Sequence, residues 1–314
     1  MIPTENPHLK IAANTDPGMS GKINEDRYSV AAFRLEDKST APSVFALVAD
    51  GIGGHRAGEI AAELAIETIN HHIQASDASK PLETLHQAIQ LANKKIYSEA
   101  ESDPQKKGMG STCACCWVIG NKLYTAYLGD SRIYLLRKGK LQQISNDHTW
   151  IQSALDAGVI TPDQAKGHTH AHIISRYLGS QNNVEPDTRL SLETGESVEH
   201  AMANQGMQLE EQDQILICSD GLTDLVEDHE IQSILAGPDQ DKNIQDLISL
   251  ANQRGGHDNI TIVNLIVPPV PHQNEEQPEP KTGYQIPCLL SSLIILVIVL
   301  VILLALSILV LRPV

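Results

Sequence analysis

The chain has 314 residues, 41% of them hydrophobic and 4% aromatic, with 39 acidic against 23 basic side chains and a formal charge of −16. So acidic a composition excludes a nucleic-acid partner held by basic patches, and a protein of this charge that acts on phosphate needs metal ions to do it. Five cysteines, an odd number with no two CxxC pairs among them, exclude a disulfide framework and a zinc site and leave reduced thiols.

In chain order, Met1 to Lys10 is polar and contains prolines, with no charged segment leading into an apolar stretch. No secretory signal is expected, so the main domain is expected in the cytoplasm. Strand signals then fall at Tyr28–Phe33, Val44–Ala49, Thr112–Ile119, Lys122–Leu128, Ile133–Leu136, Gln214–Cys218 and Ile260–Val267, bounded by Gly, Asp or Asn. Apolar residues recur at helical spacing over Ala57–Ile73, Leu82–Ala100, Thr149–Leu155 and Ile244–Asn252. Tight turns at Gly120-Asn121, Gly129-Asp130 and Lys138-Gly139 join successive strands, which implies antiparallel pairing and an α+β layered domain over residues 1–267. Residues 268–285 are rich in Pro, Glu and Gln and cannot bury a core, so they read as an extended linker. From Ile286 to Leu311 there is no charge, and as a helix this run reaches roughly 39 Å, enough to cross a hydrocarbon core of about 30 Å. It is expected to span a membrane and to anchor the chain there.

Acidic residues stand at the ends of several strand signals. Val44–Ala49 runs into Asp50-Gly51-Ile52-Gly53-Gly54, and Gln214–Cys218 into Ser219-Asp220-Gly221. Asp-Gly is also a common turn, so neither identifies a site alone. Further carboxylates share the setting at Asn24-Glu25-Asp26, at Gly129-Asp130-Ser131-Arg132 and at Gly256-His257-Asp258-Asn259. Carboxylates that converge repel one another unless a cation neutralises them, and an all-oxygen donor set selects Mg²⁺ or Mn²⁺ over zinc or copper.

These motifs, in this order and together with Thr15-Asp16-Pro17-Gly18 and Gly110-Ser111-Thr112, resemble the metal-dependent protein phosphatases, called PPM or type 2C, over residues 9–267. The resemblance implies a four-layer αββα sandwich of two antiparallel sheets flanked by helices, with residues 148–179 as a flap beside the active site. It implies hydrolysis of phosphoserine and phosphothreonine in proteins by a water that two metal ions activate. Carried over by motif, Asp50 bridges two Mn²⁺ or Mg²⁺ ions, the Gly51 carbonyl holds one of them, and Asp220 and Asp258 complete the other site. Glu25 and Asp26 act mostly through metal-bound water, and Asp130 matches the position of a third, weaker ion. The partners implied are phosphoproteins and the Ser/Thr protein kinases that make them, here met at the membrane.

Two departures qualify the resemblance. Where many members carry a phosphate-binding arginine this chain has Gly21, with Lys22 beside it as a point charge in its place. Ile52 stands where eukaryotic members have a histidine after the Asp-Gly, as in the bacterial branch, and His55 lies nearby in sequence. His71, His72, His168, His170 and His172 are expected at the surface and not as ligands. Two rival readings stay open: a two-metal phosphodiesterase, which the net charge disfavours when the substrate is nucleic acid, and a catalytically weak, membrane-tethered phosphoprotein-binding pseudophosphatase, which only the Gly21 departure favours.

Overall fold

In the computed structural model the described residues are 1–36, 40–53, 57–165, 167–170, 172–181, 183–193, 195–269 and 296–304. Two compact units divide the chain, Met1–Pro269 and Val270–Val314.

Six strands of the first unit form one antiparallel sheet, in the order β1 (Ile2–Pro3), β3 (Arg27–Arg34), β4 (Pro42–Ala49), β7 (Cys113–Ile119), β8 (Lys122–Leu128) and β11 (Met207–Gln208). Five more form a second, in the order β10 (Lys140–Gln143), β9 (Arg132–Arg137), β12 (Gln214–Cys218), β13 (Ile260–Ile266) and β2 (Lys10–Asp16). A two-stranded ribbon pairs β5 (Gly51–Ile52) with β6 (Gly110–Ser111). The helices are α1 (Ala57–Ala75), α2 (Pro81–Ser102), α3 (Trp150–Asp156), α4 (Pro162–Ala165), α5 (Val198–Ala203), α6 (Asp220–Thr223), α7 (Asp228–Leu235) and α8 (Gln240–Gln253).

Alternation along β4 shows how the layers arise. Phe45, Leu47 and Ala49 point to a core shared with Ile69 and Ile73 of α1 and Leu85 and Ile89 of α2, whereas Val44, Ala46 and Val48 point to a core shared with Ile215 and Ile217 of β12 and Val263 of β13. Because side chains alternate with period two, a strand covered on both faces reads as the unbroken apolar run seen in the sequence. The second sheet does the same, with Leu216 and Ile262 turned outward onto Leu222 of α6, Ile231 of α7 and Leu247 of α8. Three cores thus lie in succession, one between the sheets and one under each set of helices.

Between β10 and β11 the strand pattern gives way to short helices. Thr149, expected inside a helix, is instead its N-cap, accepting from the backbone N–H of Gln152 at 3.1 Å. Of the apolar run at 286–311, residues 296–304 are described and helical, with large exposed side chains, and the rest lies outside the described residues, as do 270–285, His55 and Cys288. Among the described residues no helix is long and apolar enough to cross a membrane.

Candidate metal centre

Register explains why acidic residues far apart in sequence meet. Antiparallel pairing sets the last residue of β4 opposite the first of β3, Ala49 against Arg27, so Glu25, Asp26 and Asp50 share one edge of the first sheet. In the second sheet Cys218 lies opposite both Arg132 and Ile262, and Ile260 opposite Asp16, so Asp130, Asp220 and Asp258 share one edge as well. The two edges face each other. Burial, and then the charges of Asp26, Asp220, Asp130 and Asp258, push the Asp50 carboxyl well above its ordinary value. Asp220 is raised likewise, by burial first and then by Asp130, Asp224, Asp258 and Asp26.

The same crowding lifts Asp26 to about 6 and Asp130 to about 7, burial being the largest cause for both. Asp26 is 1% exposed. Ser219 Oγ donates to its Oδ2 at 2.7 Å, while its Oδ1 has no partner among the described residues. Asp130 Oδ1 and Asp220 Oδ1 are equally buried and equally without a donor. Buried carboxylate oxygens that lack donors are costly, and three of them along one acidic edge fit hard divalent cations with oxygen ligands.

A lattice of uncharged groups holds the acids in place. Asn259 Oδ1 accepts from the Glu25 N–H at 2.8 Å, and its Nδ2 donates to the Pro17 carbonyl at 3.1 Å. The Asp50 N–H donates to Thr112 Oγ1 at 3.0 Å, and the Thr112 N–H returns to the Asp50 carbonyl at 2.8 Å. Thr112 Oγ1 lies 2.7 Å from Ser131 Oγ, next to Asp130. Sequence reasoning quoted Asn259, Thr112, Ser131 and Ser219 as motif letters without giving them work. Their signal was position: Asn259, Ser131 and Ser219 each stand between an acid and a strand end, and Thr112 joins β6 to β7.

Two glycines mark close approaches. A Cβ on Gly51 would stand 2.3 Å from the Gly58 carbonyl oxygen and 2.8 Å from that of Glu25, and one on Gly221 would stand 2.0 Å from the carbonyl oxygen of Asn259. Only a residue without a side chain lets α1 and α6 start this close to the edge. The Glu25 carboxylate accepts from the Gly58 and Glu59 N–H groups at the start of α1, though burial leaves it raised overall.

Other expected residues stand apart from this cluster. Lys22 is exposed, and its charge opposes, as the smallest of the influences on it, the burial that raises the Glu25 carboxyl, which places it near the acidic edge. Gly21, also exposed, has open space where a side chain would begin. The Arg132 guanidinium grips Asp147, with Nη2 to Oδ2 at 2.7 Å. Among the described residues the one set of three ligand groups whose atoms lie within 4.8 Å of one another is His172, Asp220 and Asp224. Asp50, Asp220 and Asp258 are more widely spread, as carboxylates that repel one another are. His172 is exposed, as expected, and its Nδ1 lies 3.2 Å from Asp224 Oδ2.

The base of the flap is tied to the Asp130 turn by a buried histidine. His148 is 5% exposed; its Nδ1 accepts from the Gly129 N–H at 3.1 Å, and the His148 backbone N–H donates to the Gly129 carbonyl at 2.9 Å. The ring proton therefore sits on Nε2, which lies 3.2 Å from Asp187 Oδ2. Although burial raises Asp187, hydrogen bonds from His148 and Arg189 hold its carboxyl well below the usual range.

Comparison with known proteins agrees with the site. Residues 19–256 match the family model described as protein phosphatase 2C. The chain is 35% identical over 255 residues to the serine/threonine protein phosphatase PstP of Mycobacterium tuberculosis, covering 81% of this chain and 44% of that protein. It is 34% identical over 254 residues to the serine/threonine phosphatase stp of Listeria welshimeri, covering 79% of this chain and 92% of that protein. The crystal structure of the PstP catalytic domain in complex with two manganese ions superposes with a TM-score of 0.68 at 34% identity, covering 83% of this chain and 99% of that one. The present chain thus spans less than half the length of PstP and nearly all of the Listeria protein.

Proposed function

The chain belongs to the protein phosphatase 2C family, and on that premise we propose that it hydrolyses phosphoserine and phosphothreonine in proteins, using two Mn²⁺ or Mg²⁺ ions at the paired sheet edges. The observation that carries this reading is the set of buried oxygens of Asp26, Asp130 and Asp220 that have no donor among the described residues, on an edge where five aspartates converge. Asp50, the Gly51 carbonyl, Asp220 and Asp258 hold the two ions. When bound, they supply Lewis-acid activation of water and neutralise charge on the phosphoryl group. Asp130 serves a third, weaker ion.

The remaining work falls to the chain's own groups. Asp26, fixed by Ser219 Oγ through Oδ2, keeps Oδ1 as an acceptor for the attacking water. Glu25 stays oriented by the N–H groups that open α1. Lys22 at the mouth pairs with the substrate phosphate as a point charge, without the bidentate fork of an arginine. The apolar run 286–311 anchors the catalytic unit at a membrane, facing the cytoplasm, where it opposes Ser/Thr kinases acting on nearby phosphoproteins; four buried free thiols suit a reducing compartment.

The test is hydrolysis of a phosphothreonine peptide by the full chain with Mn²⁺ and with EDTA. Turnover that needs Mn²⁺ supports the proposal. A folded, Mn²⁺-loaded chain without turnover rejects it in favour of a phosphoprotein-binding role, for which the open space at Gly21 is the one favourable observation. For the anchor, membrane fractionation of the full chain against one ending at 267 decides, and an unchanged distribution rejects it.

A further inference from the structure

One arginine closes the turn that carries Glu25 and Asp26. Arg27 opens β3 opposite Ala49, the last residue of β4 before Asp50. Its Nη1 donates to the carbonyls of the two residues on either side of Glu25, Asn24 at 3.0 Å and Asp26 at 2.8 Å. Its Nη2 donates to Glu59 Oε1 at 2.5 Å and its Nε to Glu63 Oε2 at 2.9 Å, both on α1.

A surface ion pair accounts for only half of this. The Glu59 and Glu63 side chains are 36% and 51% exposed, and pairs so open to water contribute little. A lysine would serve such a pair as well. The guanidinium instead turns one nitrogen to the backbone and two to α1, four bonds in fixed directions that an ammonium on a flexible stem does not reproduce.

These bonds complete a ring around Glu25. Its carboxylate accepts from the Gly58 and Glu59 N–H groups, and a Cβ on Gly58 would stand 2.9 Å from the Glu25 carboxyl carbon, so this acid is seated on the first turn of α1. From Glu59 the ring runs through its carboxylate to Arg27, and from Arg27 back to the carbonyls of the turn. The N–H groups of the same turn are held separately, that of Glu25 by Asn259 Oδ1 at 2.8 Å and that of Asp26 by Asn24 Oδ1 at 3.0 Å. Only Arg27 connects the turn's carbonyls to the helix that orients the Glu25 carboxylate.

Resting on the two-ion reading above, we infer that Arg27 is a positioning residue for that reaction: by clamping the 24–26 turn to α1 it fixes the Glu25 carboxylate relative to the acidic edge, without itself touching substrate or metal. The fork carries this role and the charge does not, so Arg27→Lys is as damaging as Arg27→Ala.

The experiment is a double-mutant cycle on the full chain, crossing Arg27→Ala with Glu25→Ala and reading kcat on a small aryl phosphate, Mn²⁺ affinity by titration calorimetry, and urea unfolding in EDTA. A residue that acts through Glu25 loses its effect once Glu25 is gone, whereas one that only supports the fold keeps it. Arg27→Ala should lower kcat by about tenfold or more with KM little changed, the scale on which small misplacements of a working group cost rate. It should also weaken Mn²⁺ binding. In the Glu25→Ala background both effects should vanish while the loss of urea stability persists. Arg27→Lys should repeat the pattern, and it carries the same cycle where the alanine variant fails to fold. Glu63→Gln, which breaks one ion pair of the same arginine and no contact with the turn, should leave kcat within about twofold. Additive losses in the cycle, or full activity in Arg27→Lys, overturn the inference and leave the two-ion reading standing. If the Mn²⁺-loaded parent does not turn over, the affinity cycle decides alone; a parent that binds no Mn²⁺ removes the two-ion reading, and the inference with it.

Discussion

At the sheet edge, Asp26 and Asp130 are 1% and 6% exposed, Asn259, Thr112 and Ser219 bond the surrounding loops to one another, and Gly51 and Gly221 leave no room for a methyl group. In the flap, helices of seven and four residues carry one buried side chain between them, Ala154, and Trp150 and Ile173 are 37% and 48% exposed. The edge is over-determined and electrostatically strained; the flap is lightly held and unstrained. A protein can keep a cluster of repelling carboxylates only on a scaffold that cannot relax, and it can vary what it recognises only on a segment with little else at stake.

The largest effect should follow from relieving the strain. Asp50→Asn or Asp220→Asn is expected to lower kcat at least about 100-fold, the scale of losing one major electrostatic contribution to a transition state. Either change should at the same time raise the melting temperature of the metal-free protein, by about 2–4 °C per kcal/mol of repulsion removed. Calorimetry in EDTA beside the peptide assay checks both halves. A metal-free variant less stable than the parent would show that the edge is not strained.

The join between the two regions comes next. His148→Ala leaves the Gly129 N–H and the Asp187 carboxylate without their buried partner, a loss of about 2–3 kcal/mol in urea unfolding. Because His148 holds the turn that carries Asp130, it should also weaken Mn²⁺ binding while leaving Asp50 and Asp258 in place. Destabilisation with unchanged metal affinity would confine His148 to the scaffold.

Proton binding sharpens the comparison without any mutation. Asp26 and Asp130 titrate near 6 and 7 in the folded metal-free protein and near 4 in the unfolded chain, so the native state holds more protons between those values. Their contribution to stability is fully present below about pH 4 and is lost as the pH rises to about 7, by about 1.4 kcal/mol per pH unit for each carboxyl. Unfolding in EDTA across that range should show the decline, and saturating Mn²⁺ should flatten it. A metal-free protein whose stability is level from pH 4 to 7 would contradict the raised values.

The same contrast explains what could be read in advance. Lys122–Leu128 and Gln214–Cys218 match their strands residue for residue, and α1 and α2 begin within one residue of expectation, because buried strands and amphipathic helices write their periods into the sequence. The acids of the edge were legible because each stands at one end of an apolar run in a fixed motif. Lys10–Asp16 was missed as a strand, since KIAANTD lacks a clear alternation and takes its place from pairing with β13. The helices α6 and α7, four and eight residues long, are too short to show a period. The contact of His172 with Asp224 was not legible for a different reason: 52 residues separate them, and only the fold brings them together.

The smallest effect belongs to the flap's surface, where it separates recognition from chemistry. Trp150 is more than a third exposed and rests on His168 and His170, so Trp150→Ala removes a partly solvated stack worth about 0.5–1.5 kcal/mol and no core contact. Global stability and Mn²⁺ affinity at the edge should change little. If the flap shapes the mouth, KM for phosphopeptides should rise a few-fold while kcat on a small aryl phosphate, which has no chain to lay against the flap, stays within about twofold. Equal losses on both substrates would mean that the flap holds the edge itself in shape, and the division between a rigid chemical edge and a soft recognising segment would not stand.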